Sequence, residues 1–187
     1  MGTVRSNSRR LPWHIRRTGF REAWRLAGQR PTSQRPVRVA ILDSGVDLHH
    51  PGLSGLLGPG MNLLSPGDPP ADDHGHGTHV AGIIASASGA WWVEVQRPPG
   101  LVIHPVKIFD RTGFGRIGDI IRGLQWCAEQ QMEVGNLSFG TDLKTSRALE
   151  RAIQDISNRG ILLVGAAGND GRRDEVDFPG RYPEVLA

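Results

Sequence analysis

The chain has a single cysteine, Cys127, and its longest wholly apolar runs are only a few residues. One cysteine excludes an internal disulfide framework, and such short runs exclude a helix that crosses a membrane. The first residues, from Met1 to Ser6, lack the apolar core of a signal peptide. We therefore expect no membrane partner and, by default, a location in the cytoplasm.

Acidic residues are scarce near the start of the chain. Residues 1–38 contain ten arginines and one acid, Glu22, which gives a balance of +9. Because the whole chain carries +3, residues 39–187 sum to −6. A basic arm can contact nucleic acid or an acidic surface. No aromatic-interleaved basic motif of a nucleic-acid module accompanies it, so we favour an arginine-rich leader without a nucleic-acid partner.

The length and composition are those of one turn-rich globular domain. The chain has 187 residues, of which 38% are hydrophobic and 25 are glycine. We expect residues 1–36 to form a basic N-terminal arm that holds a short helix at 20–27 and a linker at 28–36. We expect residues 37–187 to form the folded domain.

Short apolar runs alternate with helical patterns along this domain. The runs predict strands at 37–42, 101–109, 134–139 and 161–164. The patterns predict helices in 74–87, at 117–132 and at 145–158. This alternation predicts an α/β fold with a mostly parallel sheet flanked by helices on both faces. The carboxyl ends of the strands then meet at one edge, where α/β proteins build their sites.

Three polar residues fall at that edge. Asp43 ends the first strand, His76 opens a helix, and Asn169 follows the fourth strand. A carboxylate can hold an imidazole in one tautomer, and an amide can donate to a developing oxyanion. Taken singly, Asp43 and Asn169 also suit plain turns.

The histidines around the helix start allow a second interpretation. His74, His76 and His79 could bind a metal ion, since His76 and His79 can share a helix face. No fourth ligand follows by spacing, which argues against a zinc site. We therefore predict no metal at these residues.

Three motifs carry a family resemblance. Residues 39–47, VAILDSGVD, resemble the aspartate motif of subtilisin-like serine proteases (subtilases, peptidase family S8). Residues 76–82, HGTHVAG, resemble their histidine motif, and residues 166–169, AAGN, resemble the segment with their oxyanion asparagine. The order and separations also match, over residues 12–187. The resemblance implies a subtilisin-like three-layer fold and peptide-bond hydrolysis by an Asp-His-Ser triad.

By position, the resemblance implies that Asp43 orients His76, that His76 is the general base, and that Asn169 donates to the oxyanion. His79 is then expected to pack in the helix.

The resemblance also implies an extended protein or peptide substrate that adds as a strand between two segments. One segment is Gly113, Phe114 and Gly115. The other, which also walls the primary specificity pocket, is Ser138, Phe139 and Gly140. Small residues beside Asn169 leave room for a substrate side chain: Ala166, Ala167 and Gly168.

The chain departs from the family pattern at the nucleophile. No Gly-Thr-Ser-Met-Ala-type segment occurs in the 187 residues, and no other serine stands in that motif. We therefore expect a C-terminally truncated fragment that is inactive alone, with its fold incomplete at the C-terminus. The strands at 37–42 and 161–164 should then lack part of their apolar cover. The alternative is a non-catalytic peptide-binding module, or one completed by a complementing C-terminal segment.

The second departure concerns calcium. The chemistry requires no cofactor, but many family members bind a tight structural calcium ion through an aspartate nine residues after the catalytic one. Gly52 stands at that position, and losing a carboxylate weakens a site that needs several oxygen ligands. A weaker family site would use the backbone carbonyls of Gly180, Tyr182 and Val185. We leave structural calcium open and do not expect the tight site.

Overall fold

The computed structural model describes residues 17–19, 22–23, 25–26, 35–88, 100–140, 146–169, 171 and 176–187. Most of the basic arm, including part of the predicted helix at 20–27, lies outside these residues. The division between an arm at 1–36 and a domain at 37–187 therefore stays a prediction.

Strands and helices alternate through the described ranges, as the sequence patterns predict. The strands are β1 (Val37–Asp43), β2 (Met61–Asn62), β3 (Leu101–Lys107), β4 (Val134–Leu137), β5 (Leu162–Gly165) and β6 (Val185–Leu186). The helices are α1 (His76–Ala87), α2 (Ile117–Glu129) and α3 (Arg147–Asn158), and Pro51–Leu53 forms a 3-10 turn. Within the described ranges, no helix combines the length and apolarity needed to cross a membrane.

The strands form one parallel sheet with the order β2-β3-β1-β4-β5-β6. This arrangement confirms the predicted α/β fold. Strand β1 is central, and it pairs along its full length with β3, from Val37 opposite Leu101 to Asp43 opposite Lys107. Because the neighbouring strands are parallel, β1, β4 and β5 end at the same edge of the sheet.

Helices cover both faces of the central strand. Ala40 and Leu42 of β1 belong to a core with α2 and α3, whereas Ile41 packs with residues of α1. A strand buried on both faces must be apolar at every position, which explains the uninterrupted run from Val39 to Leu42. The expectation that this strand lacks cover is wrong for residues 39–42, which are buried.

Strand β5 differs from β1 in how its two faces are buried. Leu163 is buried in the larger core, but Leu162 on the opposite face is 50% exposed. The expected loss of cover therefore applies to one face of β5.

The observed ends of several strands and helices differ by a few residues from the predicted ends, and local hydrogen bonds explain two of these differences. Strand β3 ends at Lys107 because the next two backbone N–H groups, of Ile108 and Phe109, both donate to the Asp43 carbonyl. Helix α3 begins at Arg147 because the Ser146 hydroxyl caps it by accepting from Leu149 N–H.

The start of α1 packs directly against the turn that follows β1. A Cβ atom at Gly77 would lie 2.0 Å from the carbonyl oxygen of Gly45 and 3.2 Å from the Cβ atom of Asp43. Only glycine permits this approach of the helix to the strand end.

We expect Gly77→Ala to destabilise the fold by about 1–3 kcal/mol or more, because the added methyl group must push α1 away from backbone atoms. Denaturant unfolding followed by circular dichroism measures this loss. Gly118→Ala is the matched control, since Gly118 lies in α2 with nothing within 4 Å of its Cβ position. Alanine should leave that helix unchanged or more stable by up to about 1 kcal/mol. Equal stability of the two variants would contradict the close packing.

Candidate active site

Asp43 and His76 are in direct hydrogen-bond contact. Nδ1 of His76 lies 2.8 Å from Oδ1 and 2.9 Å from Oδ2 of Asp43. The carboxylate is buried, and its Oδ1 also accepts from the backbone N–H of Ser44 at 2.8 Å. Because an ionised carboxylate only accepts, the proton of a neutral ring belongs on Nδ1. The lone pair of Nε2 is then available to accept a proton.

The two residues meet because a strand end and a helix start converge. Asp43 is the last residue of β1, and its carbonyl is held by the N–H groups of Ile108 and Phe109 at 2.8 and 3.2 Å. His76 is the first residue of α1. Its side chain is 44% exposed, so the ring is supported by the buried carboxylate on one side and remains open to a reactant.

Asp72 binds the start of α1, a role that the sequence analysis did not predict. Its Oδ1 accepts from the N–H groups of His74 and Gly75 and from the Ser44 hydroxyl, at 2.8–3.0 Å. Its Oδ2 accepts from the N–H and hydroxyl groups of Thr78, at 2.9 and 2.5 Å. The N-cap residue Gly75 has no side chain to cap α1, so Asp72 binds the helix start in its place. An aspartate shortly before a helix is a sequence signal for such a role.

The Ser44 hydroxyl joins this cap to the strand end. It donates to Asp72 and accepts from the backbone N–H of Gly77 at 3.1 Å. Ser44 follows Asp43 directly, so one hydrogen-bond chain fixes both the aspartate and the helix that carries His76.

Lys107 supports the same turn from the neighbouring strand. This buried lysine sits opposite Asp43 in the β1–β3 register. Its Nζ donates to the Ser44 carbonyl at 2.6 Å and to Oδ1 of Asp73 at 2.5 Å. A buried charge requires such partners, and a lysine that ends an apolar strand is the sequence signal that could have indicated it.

The predicted substrate-binding segment at Gly113, Phe114 and Gly115 lies in a loop that folds into a turn. Oδ1 of Asp110 accepts from the N–H groups of Thr112 and Phe114, and Gly113 has a φ of 78°. Phe114 is 65% exposed. A Cβ atom at Gly113 would lie 3.4 Å from the ring of His74, which in turn packs edge-on against the His76 ring at 6.3 Å. This turn therefore lies beside the entrance of α1.

The other predicted site residues continue from β4 and β5 at the same edge. The ladder pairs Leu137 with Gly165, and Ala166 N–H still donates to the Leu137 carbonyl at 3.2 Å. Beyond this bond come Ser138, Phe139 and Gly140 on one side, and Ala166, Ala167 and Gly168 on the other. Phe139 packs edge-on against Phe109 at 5.0 Å between ring centroids. Asn169 follows as an exposed residue in a bend.

Comparison with known proteins decides the family. The sequence profile of the subtilase family (Peptidase_S8) matches residues 34–187. The chain belongs to the subtilase family. It is 36% identical over 180 residues to the thermostable alkaline protease of Halalkalibacterium halodurans. This match covers 96% of this chain and 47% of the relative. It is 35% identical over 178 residues to Subtilisin Savinase of Lederbergia lenta. This match covers 95% of this chain and 62% of that protein.

A solved structure agrees with this assignment. The crystal structure of a cold adapted subtilisin-like serine proteinase matches with a TM-score of 0.62 and 29% identity, over 73% of this chain and 48% of that chain. The predicted subtilisin-like fold is therefore confirmed. The subtilase chain spans about half the length, or less, of the first curated relatives that it matches.

The histidine cluster of this subtilase does not assemble into a metal site in the part of the chain that the structure describes. No group of three or more histidine, cysteine or acidic side chains there could hold a metal ion. His79 is exposed on α1, so the expectation that it packs in the helix is wrong. Its position points it away from the core formed by Val80 and Ala81. The absence of a metal at His74, His76 and His79 stays a prediction.

Gly52 stands at the tight calcium position of the family in this subtilase. Gly52 has no side-chain oxygen, and its N–H donates to Nδ1 of His50 at 3.1 Å. At the weaker position, the Tyr182 carbonyl accepts from Val185 N–H at 3.0 Å. We therefore derive no step from calcium, and its presence stays open.

We expect Asp72→Asn to make the free energy of unfolding less dependent on pH. Burial alone would raise the pKa of Asp72, but hydrogen bonds from Thr78, Gly75 and His74 outweigh it and lower the pKa from 3.8 to about 2. Since the folded-state value is the lower one, the carboxylate stabilises the fold above pH 3.8, and this stabilisation is lost as pH falls towards 2. Allowing for partial exposure of Asp72, the effect at pH 6 is about 1–2 kcal/mol.

Urea unfolding of both proteins between pH 6 and pH 2.5 measures this difference. Asp68→Asn is the control, because its exposed carboxylate accepts from the Ser65 hydroxyl alone among its described neighbours. A difference between wild type and Asp72→Asn that stays constant with pH would refute the role of the ionised carboxylate.

Proposed function

We propose that this chain supplies the aspartate, the histidine and the oxyanion asparagine of a subtilisin-like serine endopeptidase. The observation that carries the proposal is the buried carboxylate of Asp43, 2.8 Å from Nδ1 of a half-exposed His76. The names of the matched relatives, alkaline protease and subtilisin, support the same reaction.

In this reaction a serine hydroxyl attacks the carbonyl carbon of the peptide bond. Nε2 of His76 accepts the hydroxyl proton and later donates it to the leaving amine. Asp43 keeps the proton on Nδ1 and stabilises the imidazolium that forms. Asn169 donates its side-chain N–H to the oxygen that becomes negative, at the edge of the sheet where β5 ends.

We propose that the serine is supplied from outside these 187 residues. In the part of the chain that the structure describes, no serine hydroxyl is hydrogen-bonded to His76. The Ser44 hydroxyl, next to Asp43, is engaged by Asp72 and Gly77. We therefore propose that the 187-residue chain alone does not hydrolyse peptide bonds measurably. A triad that lacks a member retains at most about 10³–10⁴-fold catalysis over water.

A second candidate is a module that binds peptides without cleaving them, alone or completed by another segment. The exposure of Phe114 and of Gly140, one in each predicted substrate-binding segment, favours it. Both candidates imply an extended peptide as partner, and they differ in whether His76 meets a nucleophile.

The location of the protein also belongs to the proposals. One relative, at 33% identity over 175 residues, is named minor extracellular protease Epr from Bacillus subtilis. The cytoplasm stays a prediction for this chain.

A chimera tests the endopeptidase directly. Residues 34–187 replace the corresponding part of Subtilisin Savinase, whose remaining C-terminal part supplies the serine segment. We expect the chimera to release p-nitroaniline from a peptide anilide. His76→Ala and Asp43→Asn should each lower kcat by about 10⁴-fold or more, as loss of a triad member does.

His79→Ala is the matched control, because His79 is exposed on the same helix three residues later. It should leave kcat within about threefold of the parent chimera, since it removes no triad member. A chimera that unfolds cooperatively yet releases no p-nitroaniline would contradict the proposal. Full activity of His76→Ala would contradict it as well.

A further inference from the structure

Strands β4 and β5 separate beyond their last hydrogen bond and leave a gap. The final bond joins Ala166 N–H to the Leu137 carbonyl. Since Leu137 pairs with Gly165, Gly140 and Gly168 stand at equivalent positions, each three residues further on. Both positions are glycine, so no side chain enters the gap from either of them.

The carboxylate of Asp177 occupies the space between these two glycines. Its Oδ2 lies 2.8 Å from the Cβ position of Gly140 and 2.3 Å from that of Gly168. Gly168 has a φ of 99°, and only glycine adopts this backbone without strain. A side chain at either glycine would displace the carboxylate. The position of Asp177 therefore depends on glycine at both 140 and 168.

Two hydrogen bonds fix the backbone of Asp177. Asp177 N–H donates to the Ala167 carbonyl at 3.1 Å, and the Asp177 carbonyl accepts from Arg181 N–H at 3.0 Å. No hydrogen bond or ion pair reaches the carboxylate from the residues that the structure describes. Asp177 is half-buried, and Gly140 beside it is exposed, so the gap opens to solvent.

We propose that Asp177 is a specificity-determining residue that binds the cationic side chain of a lysine or arginine in the substrate. The inference rests on the proposed function, because Asn169 follows Gly168 directly. If Asn169 holds the carbonyl oxygen of the bond to be cleaved, the side chain next to that carbonyl enters between 138–140 and 166–168. There it meets the carboxylate of Asp177.

The chemistry of the gap favours a cation over an apolar side chain. An ammonium or guanidinium group gives the half-buried carboxylate a charge-assisted hydrogen bond. An apolar side chain would remove water from the carboxylate and leave the charge unpaired.

Peptide binding to the 187-residue chain tests the inference without any catalysis. The probes are two peptide amides that differ only in their last residue, lysine or norleucine, which has a similar length without the ammonium group. We expect the lysine peptide to bind about 10- to 100-fold more tightly by calorimetric titration, the range that one charge-assisted contact supports.

Asp177→Asn should reduce binding of the lysine peptide to the level of the norleucine peptide, with norleucine binding changed by less than about threefold. Asp68→Asn, at the exposed loop after β2, should leave the preference unchanged. Equal binding of the two peptides to the wild type overturns the inference. A lysine preference that survives in Asp177→Asn overturns it too.

Kinetics of the chimera separate this inference from the proposed function. We expect kcat/KM to favour lysine over norleucine anilides by at least about tenfold, and Asp177→Lys to shift the preference to glutamate. If the chimera cleaves norleucine and lysine substrates equally well, the proposed function stands and the role of Asp177 fails. If the chain prefers the lysine peptide but the chimera cleaves nothing, the proposed function fails and the role of Asp177 as a cation-binding residue stands.

Discussion

The contact between the end of β1 and the start of α1 is the constraint on which the site depends. Gly77 lets the helix approach the Gly45 carbonyl, where any larger residue would clash with backbone atoms. This approach brings Nδ1 of His76 within 2.8 Å of the Asp43 carboxylate. The remaining polar groups of the turn reinforce it: Asp72 binds the helix N-terminus, Ser44 links the cap to the strand, and Lys107 holds the Ser44 carbonyl.

Much of the fold, and the contact between Asp43 and His76, could be predicted from the sequence because they depend on local patterns. The apolar run at 39–42 is the part of β1 that is buried on both faces, and the small residues after Val80 form a helix against it. Since parallel strands end at one edge, Asp43 and the residues after β5 had to share that edge. The motifs around Asp43 and His76 therefore indicated a contact that the structure places in hydrogen-bond range.

Other parts of the site depend on distant segments and could not be read in advance. The hydrogen bonds of Asp72 join it to Ser44, 28 residues earlier, and to Thr78. Asp177 reaches the gap between Gly140 and Gly168 through a loop whose path no periodicity describes. His79 was misjudged because its spacing along the helix did not fix which side of α1 faces solvent. The cover of β1 was underestimated because helices from both sides of the sheet pack on it.

The protonation state of the His76 ring tests the central claim most directly. Long-range proton–nitrogen correlation spectra of the 187-residue chain, recorded where the ring is neutral, distinguish the two tautomers. The account predicts a proton on Nδ1, donated to Asp43, and an unprotonated Nε2 ready to act as a base. In Asp43→Asn this preference should weaken. A proton on Nε2 in the wild-type chain would contradict the account, because that ring could not accept the proton of an attacking hydroxyl.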